Sequence, residues 1–322
     1  MKISNNRKFR FIAGILISLI FLYLTIGKLS LAELNEIISN ASILPLTLAV
    51  IFFFVGYLLR AKRWEIMLEY KNEKICYHKC VKIIFITTAM NNVLPLRAGD
   101  IARVMFYNKE INKSTSSILA SMVIERFLDL FCILFFLWVS LFFVKIPYTN
   151  NITQQLPLLG CFCILLLLIK PQVYTLTLHF FSGLLKKTAN VNLSRFEQGL
   201  NNFTSLVNNT SSLGITSKLL VLSLIAWSFE ALVFYITSLS IIEIINNKSA
   251  LFAMPIGTFS TLIPGSPGYF GTFDYFVSQT MKISGNNATI ASAYALLVHV
   301  VIWLPITVAG GIMLILKGKN NV

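Results

Sequence analysis

Long apolar blocks separated by short basic stretches constrain this chain more than any other feature. Hydrophobic residues make up 56% of its 322 residues, and charged residues only 12%. Inside a lipid bilayer the backbone polar groups must be hydrogen-bonded within the protein, which favours helices. The sequence therefore predicts an all-α polytopic membrane protein, folded as a single integral membrane domain over residues 1–322, because no polar stretch is long enough for a separate domain. Six blocks are predicted as full transmembrane helices: residues 11–27, 43–59, 118–144, 156–169, 219–242 and 288–316.

The basic residues lie between the apolar blocks and form no contiguous domain. The net charge is +14. Lys and Arg concentrate in residues 2–10, 60–82, 97–113, 170–195 and 317–319. Such placement is typical of cytoplasmic loops, so both termini are predicted to be cytoplasmic, and no nucleic-acid partner is expected. Residues 172–213 mix basic and apolar residues and are predicted to form an interfacial or cytoplasmic helix.

Two of the apolar segments are interrupted in the same way. The breaks at residues 91–103 and 262–274 each follow an apolar run with Pro, then Gly, then a carboxylate. In membrane transporters a pair of interrupted segments at corresponding positions points to the substrate site. We therefore predict two re-entrant helical hairpins, built on residues 83–96 and 250–282.

With these hairpins the chain divides into two units of matching order. Residues 9–145 and 156–316 would each contain two spans, one hairpin and a third span. The first unit is expected to begin in the cytoplasm and the second outside the cell. The units are therefore predicted to form an inverted repeat about an axis in the membrane plane, with the first hairpin entering from the cytoplasm and the second from outside.

Arg97 and Arg103, at the first break, are candidates for binding a phosphate. A guanidinium can donate two hydrogen bonds to one phosphate, and unpaired backbone N–H groups at a broken helix end also favour an anion. The alternative is that both arginines only extend to the lipid headgroups. Asp100 and Asp274 could complete the charged site, or act as general acid and base. The sequence shows no metal-binding Asp-x-Asp or phosphate loop to accompany such catalysis.

Charged residues also occur within predicted spans. Glu125, Arg126 and Asp129 are spaced to share one helix face, and charges in a membrane are costly unless they are paired. They are predicted either to clamp the helix bundle or to contact the substrate, and their spacing leaves both readings open. Glu230, near the centre of another span, is a further candidate. No metal or cofactor is expected, because the Cys-x-His-x-Cys cluster at residues 76–80 lacks a second ligand pair.

Three motifs, taken together, resemble one known family. They are Asn92-x-x-Pro95-x-Arg97-x-Gly99-Asp100-x-x-Arg103, Glu125-Arg126-x-x-Asp129 and Pro267-Gly268-x-x-Gly271-x-x-Asp274. In this order and spacing they are similar to the lysylphosphatidylglycerol synthase transmembrane-region family, also called flippase-like, over nearly the whole chain. The acid that closes each motif is usually Glu in that family and is Asp here, and its usual Gly-Gly reads Gly268-Tyr269. The motif residues, with Glu230, form the predicted substrate-binding set.

The resemblance implies a membrane protein that acts on lipids. Family members flip aminoacylated phosphatidylglycerol or are associated with polyprenyl-linked sugars and envelope glycolipids. We therefore expect a flippase of the bacterial inner membrane, without catalytic chemistry, that moves an anionic phospholipid or a polyprenyl-phosphate-linked lipid. The cytosolic aminoacyl-transfer domain of the full synthases is not seen, so lysyl transfer is not implied.

Two other functions are considered beside transport. The first is a membrane subunit of a glycosyl- or aminoacyl-transferase that acts on lipid-linked substrates, and the second is a scaffold in an envelope-synthesis complex. A glycosyltransferase or another envelope-synthesis protein is the expected kind of partner, and an oligomer is compatible with each function.

Overall fold

The protein is helical throughout the part of the chain that the structure describes. The computed structural model describes residues 3–27, 29–69, 74–144, 151–170, 193–263 and 266–319. The helices there are α1 (Ile3–Ile26), α2 (Leu31–Ser39), α3 (Ile43–Leu68), α4 (Tyr77–Val93), α5 (Ala98–Met105), α6 (Thr115–Ser140), α7 (Asn151–Ile169), α8 (Leu193–Thr210), α9 (Leu213–Ser238), α10 (Ser249–Ser260), α11 (Thr272–Ile283) and α12 (Ala288–Lys319). The prediction of an all-α fold is confirmed. Of the segment predicted as an interfacial helix, α8 is helical, and residues 171–192 lie outside the described residues.

Several helices are suited to crossing a membrane. Helices α3, α9 and α12 are long and apolar enough for this, and α1 with α2 would make a fourth span, bent by 84° at their junction. Helix α6 has 26 residues but contains the charged residues Glu125, Arg126 and Asp129. The apolar part of α7 is shorter than these spans. A polytopic membrane protein is thereby confirmed, while the number of six full spans stays a prediction.

Helix α3 extends further than the sequence predicts. The predicted span ends before the basic residues at 60–63, whereas α3 continues to Leu68. Its last turns bury Arg63 and Trp64 within the bundle, and Arg60 pairs with a carboxylate of another helix. Arg60 and Arg63 therefore lie in a helix and have carboxylate partners on other helices, whereas the charge rule assigned them to a loop. Where the membrane span itself ends stays a prediction.

The outer surface of the bundle carries many exposed large apolar side chains. Along α12, for example, Leu304, Val308, Ile312 and Ile315 are about half exposed. An exposed apolar surface of this extent marks contact with a partner or a membrane. In a protein of this composition, these exposed side chains are expected to contact the acyl chains of the bilayer.

Both interrupted segments fold into helical hairpins. Helices α4 and α5 pack against each other around a 3-10 turn at Pro95–Arg97, and α10 and α11 do so around residues 261–271, which include a 3-10 turn at Pro267–Tyr269. The first hairpin is longer than predicted, because α4 begins at Tyr77. Gly99 permits its close packing, since a Cβ there would lie 1.8 Å from the Thr87 carbonyl oxygen. The depth and side of entry of the hairpins in the membrane stay predictions.

The inner helices contact each other in a reciprocal pattern. Helix α3 packs against α9, the first hairpin packs on α12, and the second hairpin packs on α6. If the two units are related, α3 corresponds to α9, α4 to α10 and α6 to α12. Under this correspondence the α3–α4 contact becomes α9–α10, the α3–α6 contact becomes α9–α12, and the α3–α12 contact becomes α6–α9. All six contacts are present. This pattern is what two related units would produce, and it supports the inverted repeat, which stays a prediction.

The crossing of α12 over α4 provides a test of this packing. A Cβ on Gly310 would lie 2.3 Å from the Phe85 carbonyl oxygen, whereas the adjacent Gly311 has no atom within 4 Å of such a position. Gly310→Ala should therefore force the helices apart and destabilise the protein by about 1–3 kcal/mol. Gly311→Ala is the matched control and should be neutral or stabilising by up to about 1 kcal/mol, because Ala favours a helix over Gly. Thermal unfolding in detergent would compare them, and equal stability would contradict the close crossing.

Candidate functional site

The first hairpin turn places Arg97 in an unusual backbone conformation. Pro95 begins the 3-10 turn, and Arg97 follows it with a φ of 52° and a ψ of 46°. The left-handed region is strained for a residue with a Cβ. The turn is held by Asn91, whose amide donates to the Asp100 carboxylate at 3.0 Å and accepts from the Asp100 backbone N–H at 3.1 Å. One of the N–H groups expected to attract an anion is therefore already bonded within the protein.

The second hairpin turn contains a run of positive φ angles. Gly268, Tyr269 and Gly271 have φ values of 71°, 61° and 86°. The Asp274 carboxylate accepts from the Gly271 backbone N–H at 2.8 Å and so caps α11. A Cβ on Gly271 would lie 2.1 Å from the Ser18 carbonyl oxygen of α1, so no larger residue fits there. The Pro and Gly residues of both motifs thus shape the turns.

The two turns contact each other directly. The Nε of Arg97 donates to the Tyr269 hydroxyl at 2.8 Å, and its guanidinium lies over the same ring at 5.9 Å from the centroid. Both partners are non-glycine residues with positive φ. Such conformations persist only where the surrounding structure holds them, and they concentrate at functional sites. The contact joins residues 172 positions apart in the sequence.

A cavity of about 170 Å³ lies between the hairpins and the inner helices. Aromatic side chains form much of its wall, with a few polar groups among them. Its polar and charged lining comes from Tyr57 and Arg60 of α3, Asn92 of α4, Glu230 of α9, Thr258 of α10, Thr261 after it, Tyr269 of the second turn and His299 of α12. The cavity lies beside the two interrupted segments, where the sequence analysis expects the substrate site; that a substrate binds there stays a prediction.

Four arginines and four carboxylates form a charged network beside this cavity. The shortest distances are Arg60–Glu230 at 3.1 Å, Arg63–Asp129 at 2.8 Å, Arg103–Glu125 at 2.8 Å and Arg126–Asp100 at 3.3 Å. The pairs connect α3, α5, α6 and α9, and their formal charges cancel. Buried charges of this kind persist when each has a partner. The network therefore holds the helices in register and leaves no net charge of its own.

Arg97 is the arginine of the first motif that stands outside the network. Within the described residues its guanidinium has no carboxylate partner, and Nε donates a hydrogen bond to the Tyr269 hydroxyl. The two terminal nitrogens of the fork therefore face no acidic side chain. Arg103, by contrast, is buried and bonded to Glu125. The two arginines predicted to bind phosphate are thus in different situations.

The predicted site residues fall into three groups. Asn92, Glu230 and Gly268 line the cavity, and Arg97 reaches its rim through Tyr269. Asp100, Arg103, Glu125, Arg126 and Asp129 belong to the charged network, to which Glu230 also contributes. Pro95, Gly99, Pro267, Gly271 and Asp274 shape or cap the hairpins.

Several residues of the site were not found by sequence reasoning. Arg60 and Arg63 were assigned to a cytoplasmic loop by the charge rule. Trp227, which donates to Asp129 at 3.1 Å, lies in an apolar run without a distinguishing signal. Tyr269 was noted only as a departure from the family's Gly-Gly and was given no role. His299 does have a distinguishing signal, because an ionisable residue inside a predicted span is unusual. Its ring contacts Asp274 and the Gly268 carbonyl.

In the described part of the chain, no three His, Cys, Asp or Glu side chains lie close enough together to hold a metal ion. The cluster at residues 76–80 falls within that part, and its Cys76 is exposed while Cys80 is buried.

Comparison with known proteins agrees with the motifs. The model of a family described as the lysylphosphatidylglycerol synthase TM region matches residues 11–310. A UPF0104 membrane protein of Methanocaldococcus jannaschii is 25% identical over 234 residues, which cover 72% of this chain and 95% of that protein. Another, of Pyrococcus horikoshii, is 22% identical over 307 residues, covering 88% of this chain and 90% of that protein. The family match includes both hairpins and the whole charged network.

Proposed function

This chain belongs to the lysylphosphatidylglycerol synthase transmembrane-region family, and on that premise we propose that it moves an anionic lipid across the membrane through the cavity between its hairpins. The substrate class is a phosphate-bearing lipid, either an anionic phospholipid or a polyprenyl-phosphate-linked carrier. We place the protein in the bacterial inner membrane with both termini in the cytoplasm, as the loop charges favour.

Arg97 is the observation that carries the proposal. Among the residues that the structure describes it has no carboxylate partner, and it lies where the turns of the two interrupted segments meet. A guanidinium whose Nε is already bonded still has its two terminal nitrogens, which match two oxygens of one phosphate. The neighbouring network is balanced in charge, so the excess positive charge at this place comes from Arg97.

The size of the cavity fits a polar headgroup in transit and excludes a whole lipid. Pockets that enclose drug-sized ligands begin at about 300 Å³, and this cavity measures about 170 Å³. A translocase needs to shield only the phosphate and its substituent, because the acyl chains can stay in the bilayer. Loading a larger headgroup would require the two turns to separate at the Arg97–Tyr269 contact.

The transferase alternative has less support from the geometry. Of the two carboxylates considered as acid and base, Asp274 is fully buried and bonded to Gly271 and His299. Asp100 is paired with Arg126 and Asn91. Both carboxylates are thus engaged in contacts within the protein, and Asp274 acts as a helix cap.

A liposome assay tests the proposed function. Purified protein would be reconstituted with traces of headgroup-labelled phosphatidylglycerol, phosphatidylcholine or a polyprenyl phosphate, and a membrane-impermeant quencher would follow label arriving at the outer leaflet. We expect the protein to accelerate transfer of the anionic lipids relative to protein-free liposomes, and to leave the transfer rate of phosphatidylcholine unchanged. Equal rates with and without well-folded protein, for every anionic lipid, would refute lipid translocation.

A further inference from the structure

His299 has a hydrogen-bond acceptor at each of its ring nitrogens. Nδ1 lies 2.7 Å from Oδ1 of Asp274, and Nε2 lies 3.0 Å from the carbonyl oxygen of Gly268. The other carboxylate oxygen of Asp274 accepts from the Gly271 backbone N–H. Only 3% of the His299 side chain and none of the Asp274 side chain is exposed. Phosphate binding at Arg97 uses neither residue.

Counting hydrogens shows that this arrangement holds one more proton than a neutral histidine beside an ionised aspartate. A carbonyl oxygen can only accept, so Nε2 must carry a hydrogen. The contact between Nδ1 and Oδ1 needs a second hydrogen, located on the ring or on the carboxyl group. Without it, two lone pairs would face each other at one of the two contacts, and a buried hydrogen-bonding group would lose its partner.

We infer that the His299–Asp274 pair is a proton-binding site and that release of one proton detaches the Gly268 turn from α12. The bond to the carboxylate is the stronger of the two, because it is charge-assisted. The remaining ring proton therefore stays between His299 and Asp274. The lost contact is the one to Gly268, and the hairpin turn is the part that moves.

The proton site and the anion site share this turn. Tyr269 directly follows Gly268, and its hydroxyl accepts from Arg97. When the turn leaves α12, the hydroxyl leaves Arg97, and the guanidinium loses the contact that orients its two terminal nitrogens for a phosphate. Proton binding and phosphate binding thus both favour the closed turn. Linkage makes this effect reciprocal, so, given the lipid transport proposed above, a pH difference across the membrane drives lipid movement when one proton moves with each lipid.

The other ionisable groups around the cavity are accounted for by their own contacts. Those lining the same cavity are Tyr57, Arg60, Glu230 and Tyr269. Arg60 and Glu230 pair with each other, and the rings that flank the imidazole, Phe270 and Phe273, carry no charge. From α4 the cavity receives Asn92, which does not titrate, and the carboxylates of α2, Glu33 and Glu36, are exposed. The extra proton therefore belongs to the His299–Asp274 pair.

Nitrogen NMR of the histidine ring tests the proton site without any transport. The chain has three histidines, and replacing His78 and His179 by Gln leaves His299 as the only labelled ring. We expect one proton to be lost as the pH is raised across the range in which the protein stays folded. The ring nitrogens would report that loss directly. A single unchanging protonation state across the range would overturn the site.

Lipid distribution under a pH gradient tests the coupling. In liposomes with the membrane potential clamped, one proton exchanged per lipid would change the leaflet ratio of anionic lipid about tenfold per pH unit. His299→Gln retains a donor and an acceptor but cannot titrate, so the gradient should no longer shift the ratio. His78→Gln, on the exposed start of α4, is the matched control and should respond like wild type.

The outcomes separate this inference from the proposed function. Wild-type protein that transfers lipid but ignores the gradient would overturn the coupling and leave lipid translocation intact. Protein that transfers no lipid at all would remove both the translocation and the coupling, while the NMR titration would still decide the proton site. If His299→Gln does not fold, the gradient response of the wild type remains decisive.

Discussion

Replacing Arg97 by Lys should slow transfer of an anionic headgroup about ten- to hundredfold, because losing one charge-assisted hydrogen bond costs about 1.5–3 kcal/mol. The substitution keeps the positive charge and the ability to reach the headgroups. It removes the planar fork that can bond Tyr269 through Nε and a phosphate through both terminal nitrogens. The liposome assay measures the effect, with size-exclusion chromatography to establish that the variant is folded.

Two further variants control for charge and for positioning. Lys109→Ala removes an exposed cation from the loop after α5 and should leave transfer near the wild-type rate. Tyr269→Phe keeps the ring but removes the hydroxyl that orients Arg97, so its effect should be smaller than that of Arg97→Lys. Full transfer activity in a well-folded Arg97→Lys protein would exclude bidentate phosphate binding at this position. Arg97 would then be only a headgroup anchor.

Replacing Arg63 by Ala should be the most destabilising single change in the charged network. Its side chain is 1% exposed, and it donates to Asp129 at 2.8 Å and to Ser223 at 2.9 Å. Another of its nitrogens lies 3.9 Å from Glu125. Removing one partner of a buried ion pair costs about 3–5 kcal/mol, because the other charge is left without compensation. Thermal unfolding in detergent, with the yield of folded protein, measures this loss.

Arg126→Ala is the matched comparison within the same network. Its side chain is 48% exposed and lies 3.3 Å from Asp100. An exposed ion pair contributes about 0–1 kcal/mol, so this variant should lose less stability than Arg63→Ala. The sequence left open whether Arg126 clamps the bundle or contacts the substrate, and we expect Arg63 to contribute more to stability because it is the more buried of the two. Equal destabilisation by the two variants would show that side-chain exposure does not determine how much each arginine contributes to stability.

The sequence by itself determined the class of the protein and the place of its two breaks. Long apolar blocks separated by short basic stretches leave helices in a membrane as the stable solution. Pro and Gly at residues 91–103 and 262–274 are local signals of a helix interruption, because Pro restricts its own backbone conformation and Gly relaxes it. Both hairpins could therefore be predicted from neighbouring residues alone. The motif spacing indicated the family for the same reason.

Only the tertiary structure decided which charged residue meets which. Arg60 and Arg63 look like loop residues in the sequence, and it is their carboxylate partners on α6 and α9 that allow α3 to continue past them. Sequence spacing likewise treated Arg97 and Arg103 as equivalent. In the structure Arg97 is bonded to the Tyr269 hydroxyl, whereas Arg103 is bonded to Glu125. Ionic and hydrogen-bond partners are set by contacts between distant segments, and local pattern carries no information about those contacts.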